Sequence, residues 1–154
     1  MDQVIEEKVL SSLFTVFESH AFLFLNAIEK EELAKVNCDD YVEVAMRFDG
    51  DIKGTFSMVI HKTLEDEIRT NLISGVEEED VSIEYGDGAK ELMNILGGNI
   101  MSDVLGEDHS FEISLPELLP LNLDRLGSYL NDPHLFFFET ENNLLLFRMD
   151  IENG

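Results

Sequence analysis

The sequence predicts an α+β fold in a single domain, 1–154, built as one six-stranded antiparallel sheet with about three helices on one face. Three observations lead there. Apolar residues recur at helical spacing in some stretches and alternate at strand spacing in others, with turn residues between them. The stretches run helix, three strands, two helices, three strands, an order that packs as layers around one core. With 154 residues, 44% of them hydrophobic, the chain can bury about 70% of its unfolded surface without disulfides or a structural metal.

Val4, Ile5, Val9, Leu10, Leu13, Phe14, Val16 and Phe17 follow a helical period, so the first helix is expected to end near His20. Phe22 to Leu25 reads as a short buried strand, with a charged loop from Glu29 to Glu32 after it. Tyr41 to Phe48 alternates, Asp49-Gly50-Asp51 supplies a turn, and Thr55 to His61 returns as the second arm of a hairpin. Leu64, Ile68, Leu72 and Ile73 predict a second helix capped by Gly75. The acidic run Glu77 to Asp80 lacks the alternation and glycine of a calcium loop and reads as a solvated linker. A long helix is expected from about Ser82 to Leu105. Phe111, Ile113 and Leu115 then alternate as a strand closed by Pro116, and Pro116 to Pro133 reads as a loop with at most one helical turn. Leu135 to Glu139 and Leu144 to Asp150 complete a terminal hairpin. Both halves share one pattern (helix, short strand opening on a phenylalanine, hairpin), which predicts pseudo-symmetric halves.

The net charge is −23, from 33 acidic and 10 basic residues. Such a field repels nucleic-acid backbones and anionic lipid headgroups, so neither is an expected partner. Cys38 is the only cysteine, which rules out an intrachain disulfide and a cysteine-based zinc site. His20, His61, His109 and His134 have no metal-ligand spacing, so no metal site is expected. The first residues, Met1 to Glu7, are acidic where a signal peptide would be basic, and runs such as Ala21 to Leu25 are too short to span a bilayer. A cytoplasmic location follows as the expectation. Six strands in an open sheet leave edges, and edge-to-edge pairing into a homodimer is expected from them.

The long helix carries the chemistry. At about 100° per residue, Ala89, Leu92, Met93, Leu96, Ile100 and Val104 gather on one face as a core stripe. Glu91, Asn94 and Gly98 fall opposite, with Met101 and Leu105 beside them. Glu91 and Asn94 are three apart and therefore neighbours. Glu-x-x-Asn also occurs at Glu139 and Asn142, about as often as composition alone would give. What distinguishes the first pair is its setting. Gly97 and Gly98 lie inside the helix, each costing about 1 kcal/mol relative to alanine, and close backbone approach is the usual compensation. Polar groups over a glycine floor, with Met101 and Leu105 as an apolar rim, make a candidate docking surface.

The segment Glu91-Leu92-Met93-Asn94-Ile95-Leu96-Gly97-Gly98-Asn99 resembles the Glu-Leu-x-Asn…Gly-Asn helix of the CheX/CheC/FliY chemotaxis phosphatases. Phe48 to Gly54, Asn71 to Gly75 and Phe111 to Pro116 are similar to flanking elements of that family in the same order. The first helix has no second Glu-x-x-Asn, so the resemblance is to the single-motif, CheX-like members. It implies an antiparallel sheet with packed helices, a homodimer, and hydrolysis of the aspartyl phosphate on a phosphorylated CheY-like receiver. Asn94 would aim the attacking water and Glu91 would pair with a receiver lysine. Magnesium would come from the receiver, leaving this chain without a cofactor of its own. The contrasting expectation is a non-catalytic module that binds a receiver or flagellar-switch component through the same face.

Overall fold

The structure, a computed structural model, describes residues 1–73 and 84–152. Gly75, the acidic run Glu77 to Asp80, and the expected helix start at Ser82 lie outside the described residues.

Asp2 starts the first helix, α1 (Gln3–Ala21), by accepting the Val4 N–H on its carboxylate at 2.7 Å. The helix buries Val9, Leu13, Val16, Phe17 and Ala21 and stops at Phe22, which takes a left-handed conformation (φ 57°). Strand β1 (Tyr41–Asp49) turns through the expected Asp-Gly corner into β2 (Lys53–His61), paired from Tyr41 with His61 to Asp49 with Lys53. Helices α2 (Lys62–Ile73) and α3 (Asp87–Leu105) follow. After them come β3 (Glu112–Ile113), β4 (Glu117–Pro120), α4 (Leu123–Leu130), β5 (Phe136–Thr140) and β6 (Asn143–Ile151).

The six strands form one antiparallel sheet in the order β3-β1-β2-β6-β5, with β4 also pairing β1. Strand alternation sends Val44, Met46, Phe48, Phe56, Met58 and Phe147 to one face, where α1, α2 and α3 close the main core. Gly97 decides how closely α3 sits there. A Cβ on that residue would stand 2.1 Å from Met46 Cε and 3.4 Å from the Phe56 ring.

The other face of the sheet differs from expectation, because it too carries a helix. Asn122 caps α4 by accepting the Arg125 N–H at 2.8 Å. Leu126 and Tyr129 then pack with Leu33, Val36, Tyr41, Val59, Leu144 and Leu146. Two helical turns are too short for periodicity to separate from a loop, which is why residues 116–133 read as one. Phe22 to Leu25 also differs: Leu23 and Leu25 are buried, whereas Phe22 and Phe24 are 68% and 66% exposed. In place of a strand, the residue that follows makes a single bridge, Asn26 with Glu139. The sixth strand is instead β4.

The edges are narrower than six strands suggest. Glu139 of β5 exchanges two backbone hydrogen bonds with Asn26, each of 2.9 Å. On the opposite edge the ladder breaks between β3 and β4, where the Arg47 N–H turns to Ser114 Oγ at 2.9 Å. No helix among the described residues is long and apolar enough to cross a membrane.

Glu43, fully buried on β1, anchors α4. Arg125 donates to it through Nε at 3.1 Å and Nη2 at 2.6 Å, and the Tyr129 hydroxyl donates as well. Burial, and then the Glu43 charge, push the Tyr129 hydroxyl well above its ordinary pKa, so it stays a donor. The Arg148 guanidinium lies 4.4 Å from the centre of the same ring. Removing one donor from a buried carboxylate costs more than the net value of an exposed pair. Tyr129→Phe should therefore lower unfolding free energy by about 2 kcal/mol, read as a shifted urea midpoint at constant slope. An unchanged midpoint would show that Arg125 alone satisfies Glu43.

Candidate functional site

The outer meridian of α3 passes through Asp87, Glu91, Asn94, Gly98 and Leu105, spaced by three, four or seven residues. Glu91 is exposed, while Asn94, Gly98 and Leu105 are half-buried. Ala89, Leu92, Met93, Leu96 and Ile100 are fully buried as expected, with Val104 partly so.

Met101 departs from expectation. It is fully buried in the main core and cannot serve as an exposed rim. The helical angle sets it beside Asn94, outside the core stripe, but it lies one turn beyond Gly97 on the same side, where the helix sits closest to the sheet. Leu105 stays at the surface, but its Cδ1 comes within 3.1 Å of where a Cβ on Gly50 would stand, so it packs on the β1–β2 turn.

Adjacent glycines have opposite surroundings. Gly97 faces the sheet, whereas nothing among the described residues lies within 4 Å of a Cβ built on Gly98. Gly98 therefore leaves an open notch beside Asn94 that no contact among the described residues requires. Among the described residues, neither Glu91 nor Asn94 has a hydrogen bond or ion pair. Asn99 and Asp103, by contrast, are committed to α1, accepting from the buried Ser12 Oγ at 3.0 and 3.2 Å. Lys8 Nζ donates to the Asp103 carbonyl at 2.9 Å. These ties hold the flank of α3 and leave its outer pair free.

The start of α3 holds a group that hydrophobic periodicity did not reveal. Glu65 of α2 is fully buried and accepts the Gly86 N–H on Oε1 at 2.7 Å, with Arg69 Nη1 at 3.1 Å. Its four-residue spacing from Arg69 was the one legible sign. Burial lifts Glu65 above the ordinary carboxylate range against the pull of the Gly86 N–H and Arg69, and Asp66 and Asp87 add to the rise. Asp87 itself is occupied locally, accepting the Glu84 N–H at 2.8 Å. No group of three or more His, Cys, Asp or Glu among the described residues is placed to hold a metal ion.

The outer face of α3 thus presents an acid and an amide with no side-chain partner among the described residues, beside the Gly98 position. The family model described as chemotaxis phosphatase CheX matches residues 42–122, just over half of the chain and including α3. The chain belongs to the CheX family. The fold agrees. The chemotaxis protein CheX from Vibrio vulnificus superposes with TM-score 0.66 at 16% identity, over 96% of each chain. A CheC-like superfamily protein from Shewanella sp. PV-4 gives 0.66 at 17% identity, over 99% of this chain and 100% of that one. CheX in the CheX-CheY-BeF3-Mg complex from Borrelia burgdorferi gives 0.58 at 11% identity, over 96% and 97%. No curated protein matches the sequence.

Two predictions follow from this CheX-family helix. Gly98→Ala should stabilise the fold by about 1 kcal/mol, because a Cβ there meets nothing among the described residues. Gly127→Ala, in α4 with equally open space, should stabilise similarly. A urea midpoint for Gly98→Ala at or below that of the parent would show that the position is not open.

The second concerns pH. The folded state holds the Glu65 proton more tightly than the unfolded chain, whose carboxylate titrates near about 4.3. The stability this contributes is full below that value and is lost as pH rises through the higher folded pKa. The unfolding free energy of the parent minus that of Glu65→Gln should therefore fall as pH rises from about 4 and then level off. A difference that climbs with pH would mean that Arg69 and Gly86 outweigh burial.

Proposed function

We propose that the protein hydrolyses the aspartyl phosphate of a CheY-type receiver, using the outer face of α3. The observation that carries this reading is the free pair Glu91 and Asn94 beside the Gly98 notch, on a helix of a chemotaxis phosphatase family. The Borrelia burgdorferi complex, in which a CheX is bound to CheY with BeF3 and Mg, supports a receiver as partner and as the source of magnesium.

An aspartyl phosphate is an acyl phosphate and already activated, so the work left is to hold a water in line with phosphorus. The Asn94 amide can donate to and accept from that water, orienting it without ionising. Glu91 pairs with a lysine of the receiver, fixing the register of the two surfaces, and need not act as a base. This chain forms no covalent intermediate in the reaction. Its strong negative charge suits a basic partner surface and speeds encounter at low salt. The reaction belongs in the cytoplasm, where a receiver of this kind carries signal.

Asn94→Ala separates catalysis from binding. Phosphate release from a phosphorylated receiver should fall at least about 100-fold, in the range for losing a positioned polar group. Partner affinity should stay within about threefold, and stability within about 0.5 kcal/mol for a group without partners. Turnover retained by Asn94→Ala would refute the mechanism. Tight binding without turnover by the parent protein would leave a non-catalytic interaction module.

A further inference from the structure

The turn that launches α3 is gripped from two sides. Gly86 has φ 96°, and a Cβ there would stand 2.8 Å from Leu118 Cδ2 of β4. A Cβ on Gly88 would stand 2.5 Å from the backbone of Arg69 in α2. Between them the buried Glu65 carboxylate accepts the Gly86 N–H, while its Oε2 is buried and without a hydrogen-bond partner among the described residues. The charged and titratable groups around it, among the described residues, are Arg69 and Asp66 from α2, Asp87 from α3, and Tyr85, whose ring has the Arg69 guanidinium 5.9 Å from its centre.

A half-satisfied buried carboxylate is an expensive way to join two helices, and an apolar side chain would pack α2 more cheaply. What leucine or methionine cannot do is accept the N–H at the head of α3, which has no partner inside its own helix. An acidic group there also suits the positive end of the helix. Glu91 stands about 7.5 Å farther along the axis, at about 1.5 Å per residue, so the first loss of order at this end reaches Glu91 before Asn94.

We propose that Glu65 is a positioning residue for the α3 face, holding the first turn through the Gly86 N–H so that Glu91 meets its partner in register. This rests on the reading of Glu91 as the docking residue and Asn94 as the water-placing one. Two near-isosteric variants isolate the hydrogen bond: Glu65→Met removes the acceptor and Glu65→Gln restores it without the charge.

In receiver dephosphorylation, Glu65→Met should raise KM about fivefold, the size expected from one hydrogen bond, with kcat within about twofold. Glu65→Gln should return KM to within about twofold of the parent. Without any partner present, amide exchange at residues 88–92 should quicken about fivefold in Glu65→Met and recover in Glu65→Gln. Parental KM and exchange in Glu65→Met would overturn the assignment, as would a Glu65→Gln protein as impaired as Glu65→Met. If the parent protein does not turn over the receiver, the phosphatase reading fails by itself. The exchange rates then still decide whether Glu65 holds the helix.

Discussion

Close contact between the α3 backbone and the sheet at Gly97 governs most of what the molecule presents to its surroundings. With no side chain at that point, the helix settles onto Met46 and Phe56, and its depth and roll are set together. Each residue advances about 100° around the axis, so seating Gly97 inward also fixes which residues face out. Ser12 then ties Asn99 and Asp103 on the flank, which prevents the helix from rolling towards α1. The polar pair thus stands on a rigid element braced from below and from the side, as a site with demanding geometry requires.

Periodicity was enough to read α1, the β1–β2 hairpin with its Asp-Gly corner, and the apolar stripe of α3, because each is a local pattern of adequate length. It failed where the answer depended on depth or distant partners. Met101 falls beside Asn94 by helical angle but one turn past Gly97, and whether a residue there is buried depends on how far the helix sinks into the sheet. Phe22 to Leu25 has strand composition, yet the left-handed turn at Phe22 aims that ring outward and leaves only Leu23 and Leu25 to the core. β4 and α4 are too short to carry a period. The pair Glu91 and Asn94 was legible as a face, but the lack of partners for it among the described residues was not.

Two buried glutamates show why polar letters inside a core pattern are hard to interpret. Glu43 occupies a position that strand alternation alone would assign to solvent, and its donors Arg125 and Tyr129 lie far along the chain. It is surrounded by donors and fastens α4 across the back of β1. Glu65 is served by one backbone N–H and one guanidinium, with an oxygen left over. The first arrangement suits permanent attachment. The second leaves a carboxylate that is easily neutralised, placed where one layer meets the start of the helix that carries Glu91 and Asn94.

The bridge between Asn26 and Glu139 has a consequence for how the chain reaches this state. Phe136, Phe137 and Phe138 form a stretch of high strand propensity at the edge of the sheet. The backbone that protects that edge follows α1 near the other end of the chain, and Phe14 of α1 meets the Phe138 ring edge-on at 5.4 Å. Protection of the stickiest strand is therefore a long-range event, complete only once α1 has docked. A chain with its sheet formed and α1 still loose would expose an open aromatic edge, so aggregation during folding depends on how fast the two ends of the sequence find each other.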